Sequence, residues 1–519
     1  MMPADMPAST LLRRATTVSS WTLASRLLGL VRDRLWAGAF GGSAALDAFQ
    51  AAFALPNMLR ELFGDGALSA AFIPRYVQMR EKDPAAAEAF AGAVLTRLAL
   101  GLAIASGALL LIAAGVVWWS HGRLLTPGGL KLMMVAALAI PQIPYLVFIC
   151  VTAIAAGVLN GRRHFWAPAA GPVILNVVMI STVGMSVEDE CWYLPYAVLT
   201  AGFLQCALML WMVKRTGPLP PLSMTVSPEL VELRRALLPT LFASGVYQIN
   251  AWIGTMLALL LVPGHGAVQF LYFGNRLLQF PLALIGHGVT TAAYPELALS
   301  AGRGWAATGE AVRAAARLQA FWLLPAAAGL LVCAEPLVRT IYQVGAFGPE
   351  AIARTVRVAQ MLALALIPVS LAKLLVRAFH AHRDQRTPMR VSLGLVGLNL
   401  ILNLILVRTS LQEAGLALAT AISSGAGLVA YVVILSRRGA GMVLDLAALI
   451  RPLVASILMA IAVAVLLHAW PQPEGRASAY AALRLAAAVG LGMMVYVAFT
   501  GLAWLRRRRS QAVRTPEEI

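Results

Sequence analysis

Apolar stretches of about 20 residues follow one another along almost the whole chain, separated by short polar breaks. A helix needs about 20 apolar residues to cross the roughly 30 Å hydrocarbon core of a bilayer. Only 12% of the residues are charged, against about 25% in soluble domains, and the mean hydropathy is +0.77. This pattern excludes an ordinary water-soluble enzyme and predicts an all-α polytopic membrane protein.

Fourteen apolar stretches are long enough to span the membrane, and this even number predicts that both termini lie on the same side. They lie near residues 12–40, 45–74, 85–119, 130–160, 167–187, 192–213, 229–262, 267–297, 308–333, 351–380, 388–407, 414–436, 446–469 and 478–505.

Basic residues are concentrated in alternate loops. The chain has 41 Lys and Arg against 23 Asp and Glu, a formal charge of +18, and the basic groups include Arg162-Arg163 and the run Arg506 to Arg509. The intervening turns carry few basic residues, and one of them is the acidic Glu188 to Glu190. Because membrane proteins collect Lys and Arg in cytoplasmic loops, the alternation predicts cytoplasmic termini and explains the charge without nucleic acid.

Two segments recur in the second half of the chain. Gly64 to Phe72 matches Gly286 to Tyr294, and Arg163 to Pro168 matches Arg383 to Pro388, at nearly the same offset. Parallel repeats of this kind are typical of transporters that bind substrate between two lobes. We therefore expect an N-terminal lobe at 1–215 with spans 1–6, a cytoplasmic linker at 216–228, a C-terminal lobe at 229–438 with spans 7–12, and spans 13 and 14 with a basic cytoplasmic tail at 439–519.

Several arginines lie inside the predicted spans. Arg26 and Arg32 lie in span 1, Arg60 follows Asn57 by one helical turn in span 2, and Arg276 lies in span 8. A charge at the centre of a span costs about 2.5–3.5 kcal/mol, so it needs a partner or a water-filled cavity. The guanidinium fork binds phosphate or carboxylate in bidentate fashion, and the excess of arginine over acid predicts an anionic substrate.

The alternative is that these charges only fix helix packing. Arg26 with Asp33, and Arg60 with Glu61 or Asp65, are spaced for ion pairs within one span. Such pairs would leave Arg32 and Arg276 without an obvious partner, and we therefore favour substrate binding.

No motif of an enzyme is present in the sequence: there is no Walker loop, dinucleotide fingerprint, His-Glu-x-x-His or Gly-x-Ser-x-Gly. The four Cys residues have no spacing of the metal or redox kind. We therefore expect a transporter with no catalytic residue, metal or cofactor. An integral-membrane glycosyltransferase would need a sizeable outer loop, whereas the outer loops predicted here are short. A scaffold of the division machinery would not explain the arginines in the spans.

Segments throughout the chain together resemble the MurJ (MviN) family, the lipid II flippases of the MOP exporter superfamily. The segments are Ser25 to Asp33, Asp47 to Phe49, Leu55 to Arg60, Gly66 to Pro74, Asn275 to Leu277 with Phe280-Pro281, Tyr342-Gln343 with Gly345 and Phe347, and Thr387-Pro388 with Asn399 and Asn403. The first of these segments is the most specific, because ordinary membrane helices do not carry charges at this density.

The resemblance implies two six-helix lobes, two further C-terminal helices that hold the polyprenyl tail, and a central cationic cavity. It implies export of lipid II, undecaprenyl-diphosphate-MurNAc-pentapeptide-GlcNAc, across the bacterial cytoplasmic (inner) membrane for peptidoglycan synthesis. Contacts with membrane lipids and with the cell wall synthesis machinery are further expectations. The sodium site described for some members does not carry over, because no clear acid lies in the later spans of the second lobe.

The residues expected to bind substrate are Arg26, Arg32, Arg60, Arg276, Asn57 and Ser25, and those expected to support charge or gating are Asp33, Asp47 and Asp65. Arg34 departs from the family, which more often has a small residue there. The expected mechanism is alternating access, and the alternative within transport is export of another polyprenyl-diphosphate-linked glycan.

Overall fold

The computed structural model describes residues 8–63, 67–121, 123, 126–185, 191–471 and 478–512, and these residues contain helices and no β-strand. The α-helices are α1 (Ala8–Phe40), α2 (Ala44–Phe63), α3 (Ala67–Lys82), α4 (Pro84–Ser120), α5 (Pro127–Ala139), α6 (Tyr145–Gly161), α7 (Trp166–Ser181), α8 (Tyr193–Thr216), α9 (Pro228–Leu261), α10 (Ala267–Pro281), α11 (Gly288–Ala301), α12 (Trp305–Tyr342), α13 (Pro349–Ala381), α14 (Arg386–Leu406), α15 (Glu413–Leu435), α16 (Leu446–Ala469) and α17 (Ser478–Ala512).

Two of the predicted spans are not single helices. The span at 130–160 comprises α5 and α6, which are separated by turns containing Pro141 and Pro144. The span at 267–297 comprises α10, a wider π-helical turn at Leu282–His287 that follows Pro281, and α11. Proline lacks the amide hydrogen that continues a helix. These prolines lie inside apolar stretches, so apolar composition alone did not reveal the breaks.

Eight helices among the described residues are long and apolar enough to cross a membrane, which confirms an all-α, multi-pass protein. They are α4, α8, α12, α13, α14, α15 with the turn after it, α16 and the part of α17 at Ala479–Gly501. The count of fourteen spans stays a prediction.

The chain forms two compact units, Met1–Val268 and Gln269–Ile519. Helix α9, which the repeat places at the start of the second lobe, belongs to the first unit and packs on α2 and α3. The division into 1–215, 216–228, 229–438 and 439–519 rests on the sequence repeat and stays a prediction.

Aromatic rings form the centres of two buried cores in the first unit. In one core Phe72 stacks on Tyr76 and Phe90, with ring centroids 5.6 and 5.7 Å apart. In the other, the edge of Trp36 meets Phe49 at 5.7 Å. These rings bury large apolar areas at fixed geometry. The first core joins α3 and α4, and the second joins α1 and α2.

In the second unit, α12 packs against α13, and α13 against α15, around a buried core that includes Leu374 and Phe379. Helices α16 and α17 pack on each other and on α12, where the Tyr496 hydroxyl donates to the Phe321 carbonyl at 2.5 Å. Side chains such as Ile457 and Ile461 of α16 are exposed, as expected for a lipid-facing surface. The polyprenyl groove expected at these helices stays a prediction.

Each unit has an irregular segment that crosses a long helix at a glycine. We call residues 217–227 the first strap and residues 436–445 the second strap. The Pro221 carbonyl lies so close to Gly92 of α4 that a Cβ atom at this position would overlap it. The Ala440 carbonyl is equally close to Gly309 of α12. Each strap leads into a helix through an N-cap side chain, Ser227 or Asp445.

Arg162 fixes the start of the first strap. Its guanidinium donates to the carbonyls of Val213 at 2.7 Å and Pro218 at 2.6 Å and pairs with Glu88 at 2.9 Å, while Nε donates to the Tyr76 hydroxyl at 3.3 Å. The Arg162 side chain is 1% exposed. Because its charge and its donors are satisfied inside the protein, the predicted linker is a docked segment at this end.

Candidate functional site

Helix α2 carries a connected polar network in the first unit. Arg60 donates from Nε and Nη2 to the Asn57 amide oxygen at 3.2 and 3.1 Å, and Asn57 donates to Glu61 Oε1 at 3.0 Å. Gln248 of α9 donates to the second carboxylate oxygen of Glu61 at 2.6 Å. The spacing of one helical turn on α2 brings these groups together, and Asn57 orients the Arg60 guanidinium.

Arg60 and Glu61 also form a loose ion pair, with 3.8 Å between nitrogen and oxygen. Their side chains are 27% and 39% exposed, so both charges reach an accessible surface. Arg60 therefore forms an ion pair of the kind that can fix helix packing, and its guanidinium is also accessible to an anion.

Arg32 has a partner, and the expectation that it lacks one is wrong. Its Nε and Nη2 atoms both donate to Asp33 Oδ1, at 3.1 and 2.7 Å, and its guanidinium lies over the Trp36 ring at 4.7 Å from the centroid. The Arg32 and Asp33 side chains are 8% and 0% exposed. Asp33 was considered as a partner of Arg26, but the long arginine side chain lets its immediate neighbour reach it instead.

Asp47 fixes a loop. This carboxylate is 3% exposed, and its Oδ2 accepts a hydrogen bond from the Gly266 amide at 2.6 Å, in the turn between α9 and α10. Gly266 has φ of 86°, a left-handed conformation that glycine adopts without strain. The structure thus gives Asp47 an anchoring contact close to the end of the first unit.

Ser25 and Arg26 lie together in a cavity of about 420 Å³ formed by α1 and the region around the start of α7. Its other lining residues are Val18, Thr22, Asn160, Phe165, Pro168, Ala169 and Pro172. Asn176 donates to the Ser25 carbonyl at 3.0 Å and holds the two helices together. Within the described part of the chain, Arg26 is exposed and makes no ion pair.

Arg276, the predicted site residue of the second unit, lies on α10. Its Nη1 is 3.5 Å from the Gln279 amide oxygen, and its guanidinium lies 5.7 Å from the centroid of the Tyr272 ring. Asp65 lies outside the described residues.

Sequence reasoning missed several polar residues of the helices. Gln248 and the α13 residues Lys373 and Arg377 were not selected, and neither was the buried ion pair of Arg354 with Glu413, whose two bonds measure 2.8 and 2.9 Å. A charge inside an apolar span was the available signal for Lys373 and Arg377. No such signal marks Gln248, because its partner lies 187 residues away.

The described residues contain no group of three or more His, Cys, Asp or Glu side chains that could hold a metal ion. The four cysteines are buried and unbridged. Cys191 and Cys333 belong to buried apolar clusters.

A family model described as lipid II flippase MurJ matches residues 36–507. The lipid II flippase MurJ of Burkholderia cenocepacia is 32% identical over 531 residues, covering 96% of this chain and 99% of that protein. The probable lipid II flippase MurJ of Rhizobium tropici is 32% identical over 444 residues, covering 83% of this chain and 81% of that protein.

Two solved structures have a similar fold. A lipid II flippase MurJ in an inward closed conformation has a TM-score of 0.76 at 21% identity and covers 94% of this chain and 99% of that chain. An inward-facing multidrug resistance MATE family transporter of the MOP superfamily has a TM-score of 0.64 at 15% identity, covering 82% and 98%. At these identities the two matches establish the shared architecture.

Proposed function

Because this chain belongs to the lipid II flippase MurJ family, we propose that it moves lipid II from the inner to the outer leaflet of the bacterial cytoplasmic membrane for peptidoglycan synthesis. The observation that carries the proposal is the family match over residues 36–507, together with 32% identity to the Burkholderia protein over nearly the full length of both chains. The multi-pass helical architecture suits a transporter of a membrane-anchored substrate.

We propose that arginines of both units bind the diphosphate during transport. Arg60 and Arg276 are half-buried and therefore more accessible than Arg32, and Asn57 holds Arg60 in position. Arg32 would reach an anion by exchanging one of its two bonds to Asp33. Arg26 and Ser25 would contact substrate in the cavity that they line, while Asp33, Asp47 and Asp65 would balance charge or gate. Charge-assisted bonds from arginine to phosphate are stronger than those between neutral groups.

The membrane potential would assist the outward step of an alternating-access cycle. Two negative charges that leave an inside-negative cell gain about 4–5 kcal/mol per 100 mV. We further propose that both termini are cytoplasmic, as the loop charges indicate, and that the exported precursor is passed to the cell wall synthesis machinery. Collapsing the potential in cells should slow export, and unchanged export would refute this part of the proposal.

The test is to deplete the protein in its own cells and measure lipid II that is accessible on the outer face. We expect outer lipid II to fall and to be restored by the wild type but not by Arg60→Ala or Arg276→Ala. The control is Arg408→Ala, because Arg408 is exposed in a turn and its side chain bonds only to the Leu404 carbonyl among the contacts described. Unchanged lipid II with loss of another polyprenyl-diphosphate-linked glycan would refute the proposed substrate and favour the alternative exporter.

A further inference from the structure

Helix α13 carries two basic residues close to the π-helical turn of the second unit. Lys373 Nζ lies 3.3 Å from His287 Nε2, at the end of that turn. One turn further along α13, the Arg377 guanidinium lies 5.3 Å from the centroid of the Tyr294 ring on α11. We call His287, Lys373 and Arg377 the α13 basic face. All three side chains are exposed in the folded chain.

A buried hydrogen-bond group holds the π-helical turn beneath this face. Gln319 of α12 donates to the Gly286 carbonyl at 3.0 Å and to the Thr290 hydroxyl at 2.9 Å, and Thr290 donates to the same carbonyl at 2.6 Å. Gly286 packs on Ser370, since a Cβ atom there would lie 2.6 Å from Ser370 Oγ. His287 and Lys373 are therefore positioned by a rigid support.

Lys373 and Arg377 are the cations of this face. Among the residues that the structure describes, neither Lys373 nor Arg377 forms an ion pair with a carboxylate. Helix α13 is apolar enough to cross the membrane, and a charge at the centre of such a helix costs about 2.5–3.5 kcal/mol when it faces lipid. Two exposed cations one turn apart therefore indicate a surface that meets water or an anionic ligand.

The α13 basic face and Arg276 lie at different levels along the α10–α11 axis. Arg276 precedes His287 by 11 residues along α10 and the π-helical turn. At about 1.5 Å per residue this separates their backbones by roughly 15 Å, and Arg377 lies beyond His287 in the same direction, next to Tyr294. A long sugar-peptide head group can reach both places with different anionic groups.

We propose that the α13 basic face is a second anion subsite, which binds a carboxylate of the peptide part of the lipid-linked precursor. The proposal rests on the proposed function, because that function supplies a substrate with both a diphosphate and a peptide. Lys373 and Arg377 donate to the carboxylate, and His287 sets the position of the Lys373 ammonium.

The test is binding of two soluble, short-chain lipid II analogues to the purified full-length protein. One analogue carries the free peptide carboxylates, and the other has them converted to amides. We expect Lys373→Gln and Arg377→Gln each to weaken binding of the carboxylate analogue about tenfold, and to leave the amide analogue unchanged. Lys373→Arg should retain most of the affinity. Arg357→Gln, at an exposed position of α13 outside this face, should change neither.

Equal weakening of both analogues by Lys373→Gln would overturn the subsite, and so would wild-type protein that binds both analogues equally tightly. In either case the proposed lipid II function would stand. If the wild type binds neither analogue, the proposed function fails and the subsite falls with it. A thermal melt of each variant identifies unfolded protein, and the Lys373→Arg variant then carries the comparison.

Discussion

Arg163 and Arg383 occupy the same left-handed turn in the two units, with φ of 65° and 58°. In each turn the arginine amide donates to the carbonyl three residues earlier, and the next amide donates to the carbonyl five residues earlier. This is the Schellman arrangement that ends a helix, here α6 and α13. Two residues at an offset of 220 thus share a rare conformation, which supports the predicted internal repeat by geometry as well as by sequence.

Replacing either arginine by glycine should stabilise the protein. A side chain in the left-handed region costs about 1–2 kcal/mol, and glycine avoids this cost. Part of the gain is offset because glycine increases the conformational entropy of the unfolded chain. We expect Arg163→Gly and Arg383→Gly to raise the free energy of unfolding by roughly 1 kcal/mol, measured by thermal melts in detergent. Arg390→Gly, in the first turns of α14, should lower it by a similar amount, and the opposite order of the three melts would contradict the assignment.

Arg32→Lys should impair transport although it keeps the charge. A lysine ammonium cannot make two bonds to Asp33 while lying flat over Trp36 as the guanidinium does. We expect at least a tenfold loss of outer-face lipid II accumulation, with protein level unchanged on a blot. Full complementation by Arg32→Lys would show that the fork geometry is dispensable.

Gly92→Ala and Gly309→Ala should each displace a strap. A Cβ atom at Gly92 would overlap the Pro221 carbonyl, and one at Gly309 would overlap the Ala440 carbonyl. Such overpacking costs about 1–3 kcal/mol, and we expect lower melting temperatures together with faster protease cleavage of the affected strap. The matched control is Gly101→Ala on α4, where a Cβ atom meets nothing within 4 Å. Equal melting temperatures for Gly92→Ala and Gly101→Ala would mean that the strap does not need the glycine.

Arg354 and Glu413 should behave as a coupled pair. Their side chains are 9% and 2% exposed, and the guanidinium also lies 4.7 Å from the centroid of the Phe270 ring. Arg354→Met alone leaves a buried carboxylate and should lower the free energy of unfolding by about 3–5 kcal/mol. The double variant Arg354→Met with Glu413→Leu should recover most of this loss in a double-mutant cycle, and additive losses would refute the coupling.

The contribution of Asp384 to stability should depend on pH. Burial alone would raise its pKa, but hydrogen bonds from the Thr387 hydroxyl and amide and the ion pair with Arg438 at 2.6 Å outweigh burial and lower the pKa from 3.8 to about 2. A lowered pKa stabilises the folded state above the unfolded pKa, and this stability is lost as the pH falls from about 4 towards 2. At 1.36 kcal/mol per pKa unit, the lowered pKa of Asp384 contributes about 2 kcal/mol to the free energy of unfolding.

Asp384→Asn should therefore melt below the wild type at pH 7, and the difference should shrink as the pH falls below 4. Glu296→Gln provides the control, because Glu296 pairs with Arg303 at an exposed position and such pairs contribute little. A difference between Asp384→Asn and wild type that is the same at pH 7 and pH 2.5 would contradict the assigned pKa.

The sequence alone was enough to predict an all-α, multi-pass membrane protein of the MurJ family. The prediction of the fold class succeeds because membrane insertion depends on composition over about 20 consecutive residues. The placement of Arg60 and Arg276 inside spans stays a prediction. The left-handed turns at Arg163 and Arg383 had only an indirect signal, the matching segments that contain them.

The tertiary structure decided which of these charges are already paired. Arg32 pairs with Asp33, Glu61 accepts from Gln248 of α9, and the α13 basic face meets the π-helical turn at His287. Glu61 and Gln248 are 187 residues apart, and the Lys373–His287 contact joins residues 86 apart. Distances of a few ångströms between such residues follow from how helices pack and which rotamers they allow, and neither hydropathy nor spacing along one helix contains that information.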